Sequence, residues 1–304
     1  MSRQAAKRIM MMRPKHFGFD PATASSNSFQ SEEGAEQRAM IEGLAQIEFD
    51  AAVAKLKAEG IDIIALNDTD SPEKPNAVFP NNWVSFHEDG MVLLYPMLTE
   101  SRRVERRQEV LDELEAQGVE ITRIIDISHY ENEGKFLEST GSVVLDYGNK
   151  LAYACLSSRT HIEVLEKFCE ILDYEPVVFE SMNIEGQAIY HTNVVMCIAD
   201  QYAVICSESI PQTQRVEVLA ALKNTGHGLV EITMEQMYNF AGNMLEVMND
   251  KGQSVLVMSE SAMKSLTIDQ KETLSSYSKL VAVAIPTIEK FGGGSVRCMM
   301  CKLS

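Results

Sequence analysis

The sequence predicts an α/β fold in which five similar modules close into a ring. A pattern of one amphipathic helix followed by one short apolar strand recurs five times. Gly/Asn/Asp clusters between apolar runs predict a hairpin after each strand except the last. Asn82, Glu138, His191, Asn243 and Cys298 recur at one position of the module, at intervals of 56, 53, 52 and 55 residues. A repeat of nearly constant length is expected to bring these positions together around one axis.

The composition restricts the class of protein. The chain has 304 residues, of which 45% are hydrophobic and 23% charged, which is typical of a globular protein with a sizeable core. A net charge of −17 disfavours nucleic acid and anionic membranes as partners. No apolar run approaches the ~18 residues of a membrane span, and the start of the chain has too short an apolar block for a secretion signal.

The six cysteines are irregularly spaced, which favours reduced thiols and a cytoplasmic location. The close pair Cys298-x-x-Cys301 has no second pair to complete a zinc site. It also lies too near residue 304 to open the helix of a thioredoxin-like site. We therefore expect neither a zinc nor a thioredoxin-like site.

The five modules follow one another along the chain. In the first helix, Met40, Leu44 and Ile47, followed by Ala51 and Ala54, recur at helical spacing and are expected to face the core. The helix–strand pairs span 35–59 with 61–66, 102–117 with 119–125, 161–172 with 176–179, 212–224 with 229–232, and 268–278 with 280–285.

Turn and cap residues predict how the modules connect. The last module has a single strand, 296–303, whose expected partner is the strand 7–13, and this pairing would close the ring. The predicted hairpin turns are 87–90, 146–149, 199–201 and 249–252, and serines at 101, 157–158, 207–209 and 259–261 are predicted to cap the next helices.

The glycine run 292–294 leads to Cys298, which follows the cation Arg297. Glycines allow left-handed backbone and close approach of a ligand, and a nearby cation favours the nucleophilic thiolate. A buried, inert thiol after a glycine-rich turn is the alternative. The repeat favours the nucleophile, because it aligns this thiol with an imidazole and a carboxylate.

Several motifs resemble those of the pentein superfamily, the guanidino-group-modifying enzymes. This superfamily includes arginine deiminase, dimethylarginine dimethylaminohydrolase and the amidinotransferases, and the chain is most similar to the amidinotransferase-like or citrulline utilisation hydrolase subgroup. The resemblance implies a five-bladed pseudo-symmetric ββαβ propeller over a single catalytic domain, residues 1–304. It rests on 137–146 as the acid motif, 190–193 as the histidine motif and 292–298 as the nucleophile motif.

The resemblance also implies roles for individual residues. Cys298 is the expected nucleophile and His191 the general acid and base, while Glu138 is expected either to polarise the imidazole or to hydrogen-bond the substrate nitrogens. Arg102 and Arg159 resemble the arginines that hold the α-carboxylate of an amino-acid substrate. The expected partner is therefore a small amino acid, with a homo-oligomer possible and no metal or organic cofactor required. Further substrate-binding candidates are Asn76, Asn81, Asn82 and Asn193.

Asn82 and Asn193 stand where arginine deiminases have aspartates. Amides offer a donor and an acceptor but no charge, which suits a neutral ureido group better than a guanidinium. The sequence thus favours hydrolysis of citrulline to ornithine, carbon dioxide and ammonia. The alternatives are a hydrolase of arginine or methylarginine, an amidinotransferase and, more remotely, a non-catalytic propeller. The irregular segment 20–31 is either a lid over the site or a plain surface loop.

Overall fold

The computed structural model describes residues 4–303, whose strands form five three-stranded sheets. In every sheet the middle strand pairs antiparallel with one neighbour and parallel with the other. The strands are β1 (Arg8–Arg13), β2 (Asp62–Asn67), β3 (Val84–Phe86), β4 (Met91–Leu94), β5 (Arg123–Asp126), β6 (Val144–Asp146), β7 (Leu151–Cys155), β8 (Glu175–Phe179), β9 (Met196–Ile198), β10 (Tyr202–Ile205), β11 (Gly228–Glu231), β12 (Leu245–Met248), β13 (Ser254–Ser259), β14 (Lys279–Val283) and β15 (Cys301–Leu303).

One long helix connects the two parallel strands of each sheet, since a parallel pair needs a crossover. Shorter helices lie in the remaining connections. The α-helices are α1 (Pro21–Ala24), α2 (Arg38–Ala58), α3 (Glu100–Arg103), α4 (Gln108–Ala116), α5 (Ser139–Ser142), α6 (Ile162–Leu172), α7 (Thr192–Val195), α8 (Gln212–Asn224), α9 (Met234–Tyr238), α10 (Glu260–Ser265), α11 (Ile268–Tyr277), α12 (Pro286–Gly292) and α13 (Val296–Met299).

The last strand closes the ring, as the sequence predicted. β15 pairs antiparallel with β1, with Arg8 opposite Leu303 and Met10 opposite Cys301, and β1 pairs parallel with β2. The four predicted hairpin turns are also confirmed, since they connect β3 with β4, β6 with β7, β9 with β10, and β12 with β13. The result is a five-bladed pseudo-symmetric α/β propeller.

The prediction of one strand over 296–303 was wrong. Its first half forms the single turn α13, and only Cys301–Leu303 pairs in the sheet. Helix α12 also lies between β14 and the glycine run, because Pro286 fits the first turn of a helix. The serine caps were confirmed only at Ser259, which accepts a hydrogen bond from the Ala262 amide.

The predicted core face of the first helix was also wrong. Met40, Leu44 and Ile47 are 55%, 41% and 66% exposed. Helix α2 instead packs its other face inward, through Ile41, Ala45, Phe49, Ala52, Val53 and Leu56. The helix is apolar on two nearly opposite faces, so periodicity alone does not identify the buried one.

The apolar interior of the described residues consists of four clusters of buried side chains, each of which joins neighbouring blades. All six cysteines are buried free thiols. Among the described residues, every helix is too short or too polar to cross a membrane.

Candidate active site

Short helical turns at the start of each blade's first strand carry the site residues. Asn82 ends a 3₁₀ turn (Pro80–Asn82) before β3. Glu138 and His191 are the N-cap residues of α5 and α7, which precede β6 and β9. Cys298 lies within α13, before β15. The sequence placed these residues at strand starts, but the structure places each one turn earlier, at the same end of the ring.

Two amides contact the Cys298 thiol, which is 3% exposed. Its Sγ lies 3.3 Å from Asn243 Nδ2 and 3.5 Å from Asn193 Nδ2. Asn243 Nδ2 also donates to the Asn193 carbonyl, and Asn243 Oδ1 accepts from the Arg297 amide. The amide donors would stabilise charge on the sulfur, because hydrogen bonds to an ionised group favour that form.

The Arg297 side chain, which the sequence places beside Cys298, makes its hydrogen bond elsewhere. Its guanidinium donates to the Met300 carbonyl, and its charge acts on Cys301 and Cys197. In a one-turn helix, adjacent side chains point in different directions.

The glycine run lies where the chain has no room for side chains. Gly293 ends α12 in a left-handed conformation, with φ of 62°. A Cβ on Gly292 would lie 2.8 Å from the Phe79 ring, and one on Gly293 would lie 2.7 Å from Asn27 Nδ2. The glycines therefore let segment 20–31 and Phe79 approach the backbone that leads to Cys298.

His191, Glu138 and Arg159 form a buried chain. The Glu138 Oε2 atom lies 2.9 Å from His191 Nε2 and 3.3 Å from Arg159 Nη1. The other carboxylate oxygen accepts from the Leu98 amide. This pairing gives His191 the tautomer with a proton on Nε2. It leaves Nδ1, which is buried and has no hydrogen-bond partner among residues 4–303, as an acceptor.

The electrostatics of this chain keep the imidazole neutral. Burial lowers the pKa of His191 to about 4, although Glu138 opposes the shift. Burial alone would raise the pKa of Glu138, but attraction to Arg159 and the hydrogen bond from His191 outweigh it, and the net pKa is well below the usual value. At neutral pH the site therefore contains a neutral imidazole beside an ionised carboxylate.

Arg102 is held by Glu105 and by the Asn76–Asn82 segment. Its Nε and Nη2 atoms donate to both oxygens of Glu105, each at 2.9 Å. Its Nη1 atom donates to Asn82 Oδ1 at 2.7 Å, and Nη2 also donates to the Phe79 carbonyl. Arg102 and Arg159 therefore each have a carboxylate partner.

The four asparagines predicted to bind substrate fall into two groups: three lie in or beside the cavity, and one is buried elsewhere. Asn76 lines the cavity and donates to Asp20, while Asn82 faces the cavity with an unpaired Nδ2. Asn193 contacts the thiol from beside the cavity. Asn81 is buried elsewhere, where it exchanges hydrogen bonds with Thr140 and does not line the cavity.

Segment 20–31 covers the cavity. Asn27 and Gln30 donate to the carbonyls of Gly293 and Gly292. Arg159 donates to Ser26 and to the Thr23 carbonyl. The enclosed volume is about 10 Å³, which holds at most one water molecule. This closed arrangement has no room for an amino acid.

Sequence reasoning missed several residues of the site. The Tyr190 ring contacts the His191 ring at a tilt of 47°, and its hydroxyl donates to the Gly293 carbonyl at 2.6 Å. Glu105 pairs with Arg102. The repeat did single out Asn243, but it gave that residue no role. Tyr190 is the first residue of the histidine motif, and Glu105 lies one helical turn after Arg102, so spacing was the only available signal.

Three solved structures resemble the chain over almost its whole length. The N-terminal domain of ArgZ, an arginine dihydrolase from cyanobacteria, superposes with a TM-score of 0.75 at 15% identity, with 98% of each chain covered. AgrE in complex with L-arginine gives 0.76 at 14%, covering 98% of this chain and 40% of that one. A dimethylarginine dimethylaminohydrolase adduct with S-methyl-L-thiocitrulline gives 0.66 at 16%, covering 98% and 100%.

At this low identity, the structural likeness establishes the fold. No curated protein sequence matches the chain. A family model described as N,N dimethylarginine dimethylhydrolase, eukaryotic, matches residues 13–304, which is nearly the whole chain. The chain therefore belongs to the N,N-dimethylarginine dimethylhydrolase family, within the pentein superfamily of guanidino-group-modifying enzymes, and it is a hydrolase of C–N bonds.

Proposed function

We propose that this hydrolase acts on the ureido group of free citrulline, with Cys298 as nucleophile. The observation that carries the proposal is the pairing of Glu138 with Arg159 at 3.3 Å. Glu138 is the carboxylate that contacts His191, and Arg159 already balances its charge. The other groups around the Cys298 sulfur are the amides of Asn193 and Asn243.

A cationic guanidinium would enter this site without a free counter-charge. Leaving a buried charge uncompensated costs several kcal/mol. A ureido group is neutral and presents a carbonyl and N–H groups, which amide side chains can pair with. The two arginines that line the cavity, Arg102 and Arg159, suit the α-carboxylate of an amino acid.

The first chemical step breaks one C–N bond. The Cys298 sulfur attacks the ureido carbon while its proton passes to His191, whose neutral imidazole can accept it. The tetrahedral adduct collapses as His191 returns the proton to the leaving nitrogen, so ammonia departs. The product of this step is a thioester on Cys298 (a thiocarbamate) whose carbonyl carbon still carries the side-chain nitrogen of ornithine.

The second step consumes water. His191 removes a proton from a water molecule, whose oxygen attacks the thioester carbon, and the proton then returns to the Cys298 sulfur. The released carbamate decomposes to ornithine and carbon dioxide. The sum is citrulline plus water giving ornithine, carbon dioxide and ammonia, and Cys298 ends as the thiol.

Segment 20–31 acts as a lid in this proposal. A cavity of about 10 Å³ cannot admit citrulline, so the contacts between this segment and residues 292–293 must break and re-form in each cycle. Closure would then exclude bulk water from the thioester until hydrolysis.

Hydrolysis of arginine or a methylarginine is the second candidate. It is favoured by the family match and by the names of the structural neighbours, an arginine dihydrolase and a dimethylarginine dimethylaminohydrolase. It would require a guanidinium to displace Arg159 from Glu138. A cytoplasmic location suits either substrate.

Competition kinetics with citrulline, arginine and dimethylarginine, read by mass spectrometry of the products, tests the proposal. We expect the highest kcat/KM for citrulline and a Cys298 adduct with the mass of citrulline less ammonia. A higher kcat/KM for arginine or dimethylarginine would refute the proposal and favour the second candidate.

A further inference from the structure

Asn243 is a buried residue of the site to which the proposed mechanism assigns no step. It precedes β12, the first strand of its blade, as the other site residues precede theirs. Its Nδ2 atom lies 3.3 Å from Cys298 Sγ, closer than the 3.5 Å of Asn193 Nδ2. Asn243 therefore touches the atom that reacts.

Two backbone groups fix the orientation of the Asn243 side-chain amide. Its Nδ2 donates to the Asn193 carbonyl at 2.8 Å, and its Oδ1 accepts from the Arg297 amide at 3.1 Å. A backbone carbonyl only accepts and a backbone N–H only donates, so exchanging Oδ1 and Nδ2 would lose both hydrogen bonds. The second N–H of Nδ2 is thus held toward the Cys298 sulfur, while Oδ1 lies farther away, at 3.7 Å.

The backbone before Asn243 is shaped to bring this amide to the sulfur. Phe240 has a φ of 60°, a left-handed conformation that is unfavourable for an aromatic residue, and its carbonyl accepts from the backbone N–H of Asn243 at 2.9 Å. A Cβ on Gly242 would collide with the Val194 carbonyl, so glycine lets this turn lie against α7. Strained backbone of this kind is concentrated at active sites.

The Asn193 side chain is not fixed in the same way. Within residues 4–303, its amide makes hydrogen-bond contacts only with the Cys298 sulfur, at 3.5 Å from Nδ2 and 3.9 Å from Oδ1. It can therefore turn toward a substrate without breaking a hydrogen bond to the backbone.

We propose that Asn243 is a further catalytic residue, whose side-chain N–H stabilises the Cys298 thiolate, while Asn193 serves the substrate. The inference rests on the proposed role of Cys298 as nucleophile, but not on the identity of the substrate. When the S–H proton passes to His191, the sulfur becomes an anion and accepts the hydrogen bond from Asn243, which keeps both of its own protons. The same contact acts again when the C–S bond breaks and its electron pair returns to the sulfur.

The ionisable groups around the sulfur do not replace this hydrogen bond. Four of them line the same cavity: Arg102, Arg159, Tyr190 and His191. The two guanidinium groups are paired with Glu105 and Glu138. The Tyr190 hydroxyl donates to a backbone carbonyl, and burial raises its pKa well above the usual value. The Arg297 guanidinium, on α13 itself, also donates to a backbone carbonyl.

The pH dependence of Cys298 alkylation by iodoacetamide tests the proposal without any substrate, so the outcome does not depend on whether citrulline is cleaved. Because only the thiolate reacts, the midpoint of the profile measures ionisation, whereas the plateau measures access to the sulfur. Asn243→Ala should raise the midpoint by at least about one pH unit, since a hydrogen bond to a charged group is lost. An unchanged midpoint would overturn the proposal. Peptide mass spectrometry, with Cys298→Ala as the blank, assigns the alkylated residue.

Asn249→Ala is the matched control. Asn249 is a buried asparagine of the same blade whose side chain also bonds to backbone groups, but it follows β12 and lies at the other end of the ring. Its midpoint should match that of the wild type. An equal shift in Asn249→Ala would assign the effect to a general loosening of the blade and would reject the proposal.

Asn243→Asp is the second variant, in case Asn243→Ala does not fold. It keeps the shape of the side chain and can still accept from the Arg297 amide, but a carboxylate offers no N–H to the sulfur. The midpoint should therefore rise by at least as much as in Asn243→Ala, and a wild-type midpoint would overturn the proposal.

Asn193→Ala separates the roles of the two amides. It should shift the alkylation midpoint by less than half as much as Asn243→Ala and should raise KM for the substrate that is cleaved. Asn243→Ala should instead lower kcat at neutral pH at least about tenfold and leave KM within about twofold, because it removes a contact to the nucleophile. Equal midpoint shifts in the two variants would reject this division of roles.

Discussion

The Arg159 guanidinium lies 3.3 Å from the carboxylate of Glu138, the same carboxylate that contacts His191. One acidic group therefore orients the imidazole and neutralises an arginine. The fixed charges of the site are already balanced before any substrate is bound, since Arg102 is paired with Glu105 as well. This balance is the basis of the first prediction.

The double variant Asn82→Asp with Asn193→Asp should shift the ratio of kcat/KM values toward arginine by ~10–100-fold, equivalent to ~1.4–2.8 kcal/mol. The added carboxylates give a guanidinium the counter-charge that amides lack. Competition kinetics on wild type and variant measure the ratio. Asn81→Asp is the matched control, since Asn81 does not line the cavity. An unchanged ratio in the double variant would contradict the charge argument.

Cys298→Ala should abolish turnover without unfolding the chain, whereas Cys301→Ala should keep most of the activity. Cys301 is buried against the Val84 carbonyl, and burial raises its pKa to about 12, so it stays a thiol. Its truncation should cost only about 1 kcal/mol of stability. Steady-state rates of both variants measure the activity, and thermal melts measure the stability. Equal activity in the two variants would rule out covalent catalysis by Cys298.

Gly141→Ala should reduce kcat by at least about 100-fold while leaving the fold intact. A Cβ at this position would lie 2.7 Å from His191 Nδ1 and would collide with the Asn82 amide. Both of those nitrogens are buried without a partner, and a misplaced catalytic group is costly. Gly148→Ala is the control, because its nearest contact would be 3.6 Å away. Equal rates in the two variants would exclude a role for the space beside Gly141.

Stability should fall as the pH drops from about 6.5 to about 4. Burial lowers the pKa values of His191 and His87 to about 4, below the usual 6.5. The unfolded chain therefore binds more protons in this window, so each histidine contributes stability that is present above pH 6.5 and lost as pH falls through 4. Each shift is worth roughly 3 kcal/mol.

Denaturant titrations at several pH values check this expectation. The single variants His191→Gln and His87→Gln should each reduce the pH dependence of the free energy of unfolding by about half. A stability that is constant between pH 7 and pH 4 in the wild type would contradict it. The imidazole of His191 should stay neutral down to about pH 5, so kcat/KM should be retained down to that pH.

Loosening the lid should raise KM more than it lowers kcat. The double variant Asn27→Ala with Gln30→Ala removes both donors to the glycine carbonyls. We expect KM to rise about tenfold, since closure contributes to substrate binding. Ser25→Ala is the control, because the Ser25 hydroxyl bonds only within the lid, to the Ala22 carbonyl. If both variants match the wild type, the lid proposal is wrong.

The sequence predicted the features that depend on repetition. The even spacing of Asn82, Glu138, His191 and Cys298 predicted their common end of the ring, because each precedes an equivalent strand. The pairing of the last strand with the first was predicted for a similar reason: each otherwise had an open edge.

The features that were missed depend on side-chain direction or on distant loops. Two apolar stripes on α2 gave the same period, and only the packing of this helix against β1, β2, β14 and α12 distinguishes them. Arg297 directly precedes Cys298 in sequence, but its guanidinium donates to the Met300 carbonyl from a one-turn helix. The contact between Arg159 and Glu138 requires the loop after β7 to fold back on α5, which no local pattern encodes.

The pairing of β15 with β1 also has a consequence for how the enzyme matures. Residues 8 and 303 are opposite each other in that pair, so the ring closes through a contact of nearly the greatest sequence separation that the chain allows. Contacts of this kind form late and slow the folding of a chain. Cys298 is three residues before this strand, so it meets His191 and Glu138 only after closure. A partly folded or nascent chain would thus carry its thiol without the imidazole that activates it.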